Sequence, residues 1–194
     1  MSGFPFLTTP RLHLRAFAEA DSSRLIALAG DYEVAKNTLN IPHPYTEADA
    51  RHWLHLTQQN YAQQSAYDFA LELRATGELV GGMGLTLEPR FDRAEAGYWL
   101  GQPYWGQGLA TEALAAVLRF GFTELKLNKI YATHIAQNPA SGRVMQKNGM
   151  RKEGELAQHT KRDGQYYDLW QYRLTRREYE LPGGNGNENS HFGQ

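Results

Sequence analysis

The stretch YWGQGLATEAL, residues 104–114, sets Gly106 and Gly108 between a strand and a helix start. Glycine lets the backbone approach a ligand closely and turn its N–H groups outward, and a helix N-terminus adds about half a positive charge. That geometry suits a pyrophosphate. The loop lacks the Lys-Ser/Thr ending of a P-loop and the three-glycine spacing and ribose-binding acid of a dinucleotide fingerprint, which disfavours nucleoside triphosphates and NAD. Taken alone it reads equally as a glycine turn without a ligand. Thirty residues on, NPASGRVMQKNGM places Asn138 after a strand and Ser141 in the first turn of another helix. Asn and Ser also favour helix N-termini as caps, so a site role and a capping role both stay open.

These residues need elements to hold them. Leu12 and Leu14 alternate with Arg11, His13 and Arg15 as a strand does, and AEADSSRLIALAG follows with helical spacing. Thr46 with Asp49 three residues later opens a helix through Trp53, Leu54 and Leu56 that ends near Gln64. Tyr67, Phe69, Leu71 and Leu73 alternate with polar or small residues, Thr76-Gly77 turns the chain, and ELVGGMGLTLE and residues 94–101 supply two further antiparallel strands. Leu109, Ala110, Ala113, Leu114, Val117, Phe120 and Gly121 share one helical face before the strand 129–135. A short helix over 139–148, stopped by Asn148-Gly149, leads to strands near 151–160 and 166–174. The sum predicts an α+β single domain around a mixed, mostly antiparallel central sheet flanked by helices.

Composition narrows the chemistry. The 194 residues are 41% hydrophobic and 21% charged, the composition of a folded chain. Twenty Lys and Arg against twenty-one Asp and Glu leave a net charge of −1, which offers no field for nucleic acid. No Cys occurs, so thiolate nucleophiles and Cys-based zinc sites are excluded, and a reducing compartment fits. No apolar run reaches signal-peptide or membrane-helix length, so a cytoplasmic protein without a membrane partner is expected. Residues 182–194 are Gly- and Asn-rich and are expected to form a flexible tail to a domain spanning 1–181. His52 and His55 lie three apart without a third ligand in view and read as helix-surface residues, so no metal is expected.

Together the two glycine and Asn-Ser elements resemble the GNAT superfamily of N-acetyltransferases. Its pyrophosphate loop ends in Gly-x-Gly/Ala, here Gly108-Leu109-Ala110, and its second element reads Asn-x-x-Ser then Lys-x-Gly-Phe, here Asn138, Ser141, Lys147, Gly149 and Met150. The likeness spans residues 8–176, and TTPRLHLR, AGYWLGQPYWGQGLATEAL and EGELAQHTKRDGQYYDLWQYRL are similar to the bacterial ribosomal-protein N-terminal acetyltransferase branch. Two positions depart. Trp105 stands where many relatives carry Gln or Arg, and Met145 stands where a tyrosine is common, which removes a frequent general acid.

The resemblance implies an acetyl-CoA-dependent N-acetyltransferase, with acetyl-CoA as cosubstrate and a primary amine as acceptor. Strands 93–101 and 129–135 would splay to hold the pantetheine arm. By likeness Tyr98, Trp99 and Leu100 flank the acetyl group, and the N–H groups of Gly106, Gln107, Gly108, Ala110 and Thr111 meet the pyrophosphate. Asn138 would hold the pantetheine or the acid. Direct transfer needs a neutral amine and a proton for the departing thiolate. Glu95 is the candidate base, directly or through water, or else an ordinary surface acid; Glu72 and His134 are weaker candidates. Ser141 is the candidate acid. Relatives acetylate protein N-termini, polyamines, amino acids or antibiotics, and the acceptor walls come from the early helices around 18–64. A homodimer is suggested by likeness alone. The competing reading is a domain that binds acyl-CoA as a sensor or scaffold without catalysis.

Overall fold

The structure, a computed structural model, describes residues 3–181, so the expected tail at 182–194 lies outside the described residues. Among the described residues eight strands form one sheet in the order β1-β2-β3-β4-β5-β6-β8-β7. In chain order they are β1 (Leu7–Thr8), β2 (Leu12–Ala16), β3 (Ala66–Leu73), β4 (Leu79–Glu88), β5 (Arg93–Leu100), β6 (Lys129–Ile135), β7 (Arg151–Arg162) and β8 (Gln165–Thr175). The pair β5–β6 is parallel, and every other neighbouring pair is antiparallel. This is the mixed, mostly antiparallel α+β sheet that the pattern of alternation predicts.

Helices cover both faces. On one face lie α4 (Leu109–Thr123) and α5 (Pro139–Lys147); on the other lie α1 (Ser22–Ala29), α2 (Tyr32–Lys36) and α3 (Glu47–Ala62). The apolar stripe of α4 delivers Ala113, Leu114, Val117 and Leu118, each 0% exposed, to a core shared with Phe69, Leu71 and Leu85. Thr46 caps α3: its hydroxyl accepts the Asp49 N–H at 3.3 Å while the Asp49 carboxylate accepts the Thr46 N–H at 2.7 Å. This is the reciprocal cap that the spacing predicts. Two helices escape the sequence patterns, α2 and the terminal α6 (Arg176–Glu180). Each has only five residues, too few for a 3.6-residue period to show.

The last two strands run longer than expected, because Asp163 (φ 50°) and Gly164 (φ 81°) close them in a two-residue turn with both residues left-handed. Pairing of β8 with β6 covers only Leu169–Thr175, so the outer part of the β7–β8 hairpin projects past the end of β6.

Close packing seats α5 on the sheet. A Cβ on Gly142 would stand 2.7 Å from His134 Nε2. The His134 ring cannot yield, being 4% exposed and stacked on Tyr172 at 5.7 Å. Alanine at position 142 gains about 1 kcal/mol of helix propensity, but overpacking costs about 1–3 kcal/mol. Gly142→Ala is therefore expected to lower the Tm, by about 2–4 °C for each kcal/mol of net loss, with a calorimetric melt as the measurement. A raised Tm would show that α5 has room to lift.

Candidate active site

The parallel ladder between β5 and β6 covers only Arg93–Glu95 against Lys129–Tyr131. Its closed end is pinned by the Asp92 carbonyl, which accepts the Asn128 N–H at 2.6 Å. Past Glu95, β5 continues along β4 as far as Leu100, and β6 continues along β8 as far as Ile135. The two strands thus part into a V. The helix starts of α4, at Gly108, and α5, at Asn138, lie beyond its open ends.

A cavity of about 290 Å³ occupies this opening. Tyr98, Trp99, Leu100, Gly106, Gly108, Ala110, Thr111, Asn138 and Ser141 all line it, so most of the residues picked from the sequence share one space. Gln107 does not: its side chain donates to the Pro103 carbonyl at 2.9 Å, and its own carbonyl accepts from Arg11 Nη1 at 2.8 Å. Gly106 (φ 74°) and Gly108 (φ 79°) are both left-handed, a conformation costly for other residues, and Gly108 is the N-cap of α4. Trp105 ties the loop back to the strand by donating its indole N–H to the Leu100 carbonyl at 2.7 Å. A cation at this position could not replace that tie with the same geometry.

The first turn of α4 carries Glu112, an acid beside a would-be anion site. Its charge is compensated on the spot. Thr9 Oγ1 donates to it at 2.6 Å, the Arg11 N–H at 2.8 Å and Arg11 Nε at 2.6 Å. Burial pushes the Glu112 carboxyl up, but these three donors outweigh it and hold the group below the usual carboxylate range. The opening TTPR of the sequence thus braces the loop from behind. Arg143 and Lys147, one turn apart on α5, add two cations to the cavity lining. Neither is among the site residues expected from the sequence, although a spacing of four on a helix puts both on one face.

Ser141 is held from two sides. Its backbone N–H donates to Asn138 Oδ1 at 3.3 Å, and the Tyr98 hydroxyl lies 2.9 Å from both Ser141 Oγ and the Ser141 carbonyl oxygen. Burial raises the Tyr98 phenol well above the ordinary tyrosine value, and the hydrogen bond with Ser141 offsets this only in part. Tyr98 therefore stays protonated as a donor. Asn138 does cap α5, and its Nδ2 donates to the Asn37 carbonyl at 3.3 Å, so its amide serves the wall as well as the helix. Val34, Asn37 and Thr38, from α2 and the turn after it, also line the cavity. Met145 is 1% exposed and serves the core.

Glu95 lies elsewhere. Alternation along β5 puts it on the sheet face opposite Tyr98, at the point where the strands part, with Thr133 Oγ1 donating to it at 2.9 Å. Glu72 pairs with Arg15 at 2.6 Å on β2–β3, away from the cavity. His134 is buried behind α5, its pKa pushed down by burial, with Nε2 lacking a hydrogen-bond partner among the described residues. His52 and His55 are exposed on α3, and no group of three metal-ligating side chains gathers among the described residues.

The Glu112 brace has a pH signature. A carboxyl whose folded pKa is lowered stabilises the fold above its ordinary value, and that contribution is lost as pH falls through the lower folded value. Glu112→Gln is expected to lower the Tm at pH 7, with the deficit shrinking as pH falls below about 4. Melts across that range measure it; a deficit independent of pH would show that the charge contributes nothing.

Comparison with known proteins agrees with this geometry. The profile of the acetyltransferase (GNAT) domain family matches residues 11–151. The uncharacterized N-acetyltransferase p20 of Bacillus licheniformis is 33% identical over 175 residues, which span 89% of this chain and 97% of that protein. The [ribosomal protein uS5]-alanine N-acetyltransferase of Escherichia coli is 29% identical over 170 residues, 84% of this chain and 86% of that one. A GNAT-family acetyltransferase of Bacillus anthracis superposes with a TM-score of 0.81 at 29% identity, covering 90% of this chain and all of that chain (100%). With a family profile covering most of the chain and relatives similar along nearly their whole length, the chain belongs to the GNAT acetyltransferase family.

Proposed function

We propose that the chain transfers an acetyl group from acetyl-CoA to a primary amine, by direct attack of the amine on the thioester carbonyl. The observation that carries this reading is the V between β5 and β6, whose cavity runs from Tyr98–Leu100 to the left-handed glycines at the start of α4. A ligand with amide groups in its arm and a pyrophosphate further along matches strand edges at one end and a helix N-terminus with two nearby cations at the other. Gly106, Gly108, Ala110 and Thr111 form the proposed pyrophosphate cradle, with Gln107 contributing at most its backbone N–H.

The chemistry balances without a covalent enzyme intermediate. The ammonium loses a proton, its nitrogen attacks the carbonyl carbon, the C–S bond breaks, and the nitrogen sheds a second proton while the thiolate gains one. One proton is released in sum. Ser141, on the cosubstrate side, is the proposed hydrogen-bond donor to the departing sulfur, positioned by Tyr98. Tyr98 is an unsuitable final proton source, because burial disfavours its phenolate. Glu95, on the opposite face, is the proposed base, acting through water. Opposite faces suit the reaction, since the amine must approach away from the coenzyme.

An α-amine of a protein or peptide is the proposed acceptor, supported by likeness to the uS5-alanine acetyltransferase, with small amines as the competing class. Cytoplasmic placement and a homodimer belong to the same proposal. Among the described residues no helix is long and apolar enough to cross a membrane.

Two measurements test the reading. Saturating acetyl-CoA is expected to raise the Tm, by about 2.7 kcal/mol of stabilisation at a hundredfold excess over Kd, and Gly108→Val is expected to abolish most of that shift. An unaltered melt of the native chain would overturn it. In a CoA-release screen over peptide N-termini, polyamines and aminoglycosides, Ser141→Ala and Glu95→Gln are each expected to lower kcat by about 100-fold or more. Acetyl-CoA binding with no CoA release from any amine would favour the sensor or scaffold.

A further inference from the structure

The turn after α2 forms part of the cavity wall. Five residues make a marginal helix, and local bonds close its end only in part: the Ala35 carbonyl accepts from the Thr38 N–H at 3.1 Å and from Thr38 Oγ1 at 3.0 Å. Further donors come from 124 to 127 residues away. Arg162, at the end of β7, donates from Nη1 to the Ala35 carbonyl at 2.8 Å and the Thr38 carbonyl at 2.6 Å, and from Nη2 to the Lys36 carbonyl at 3.1 Å. One planar guanidinium thus gathers three carbonyls at the negative end of a helix, where a cation is also favoured by the dipole.

The hairpin that carries Arg162 is built to reach. Its outer part projects past β6, and its two strands are closed by the tight Asp163-Gly164 turn. Between Leu156 and Thr160 the register shifts, with Gln158 left-handed (φ 46°) and its N–H held by Asp168 Oδ1 at 2.7 Å. Such a bulge bends a strand and re-aims the side chains beyond it. The Arg162 side chain is 22% exposed, and its nearest acid, Asp163, is 92% exposed at 3.7 Å, too solvated to compete for it. From the other side Asn138 Nδ2 reaches the Asn37 carbonyl. The segment 35–38 is therefore suspended between the cap of α5 and the tip of the hairpin.

We infer that Arg162 is a positioning residue that latches the hairpin onto the end of α2 and so sets the wall, including Asn37 and Thr38, that the acceptor amine passes. The acceptor part of this inference rests on the proposed acetyl transfer. The proposed pyrophosphate cradle lies on the start of α4 and on the cations of α5, none of which Arg162 touches, so loss of the latch is expected to separate the two substrates kinetically.

The test uses the full chain with Arg162→Ala and Arg162→Lys, acetyl-CoA by calorimetry, and as acceptor whichever amine of the screen is turned over fastest. Arg162→Ala is expected to speed hydrogen exchange at amides 35–39 by about tenfold or more, since their local opening loses its restraint. It is expected to raise the acceptor KM by about fivefold or more, with the acetyl-CoA Kd and kcat within about twofold. Arg162→Lys should fall between, because one ammonium cannot span the three carbonyls in the same plane. Unchanged exchange at 35–39 overturns the latch. Acetyl-CoA Kd and acceptor KM rising together overturns the acceptor role, as a general loosening would do. A native chain that acetylates no amine of the screen overturns the proposed function and the acceptor role with it, and that result needs no variant.

Discussion

Pairing between β5 and β6 stops after Glu95 and Tyr131, although each strand runs on against its outer neighbour. Buried backbone N–H and C=O groups left without partners cost about 1–3 kcal/mol each. A strand edge opened inside a sheet therefore has to be completed by water or by a ligand. The divergence is held on both sides: the Asp92 carbonyl fastens the closed end, while Tyr98 reaches from β5 to Ser141 on α5 near the open end. The cavity and the opening beyond which both helices start follow from this single break in the ladder, while alternation along β5 separates Glu95 from Ser141.

Charge at the open end is arranged with similar economy. Two left-handed glycines expose backbone N–H groups at the start of α4, yet the same turn carries Glu112. Thr9 and Arg11 satisfy that carboxylate from the β1–β2 turn, and Arg11 also takes the Gln107 carbonyl. A carbonyl and a carboxylate that would oppose an anion are thus bound from behind, while Arg143 and Lys147 line the cavity itself. Two cations thus face the cavity in a chain whose net charge is −1.

The wall proposed for the acceptor is assembled differently. No continuous motif builds it: the end of α2, the cap of α5 and the tip of the β7–β8 hairpin meet there through hydrogen bonds between residues about 100 or more positions apart.

Most of the sheet, α3, α4 and the glycine loop were legible in the sequence, because their signals are local. Alternation in Tyr67–Leu73, the Thr46–Asp49 cap and the paired glycines each report on a few consecutive residues. The family likeness also brought Tyr98, Asn138 and Ser141 forward, and the structure gathers them in one cavity. Other features had no local signal. Five-residue helices are too short for periodicity, and nothing in KRDGQ announces that Arg162 reaches back to residue 35. Glu95 could be named from its strand, but the face it occupies depends on register, since a shift of one residue reverses every side chain. Most of the elements, their order and the glycine turn before α4 are encoded locally, because dihedral preference and hydrophobic period act over neighbours. Where β5 and β6 part, what compensates Glu112 and which residues of the α2 turn wall the cavity follow from tertiary contacts, because those depend on groups that only the folded sheet brings together.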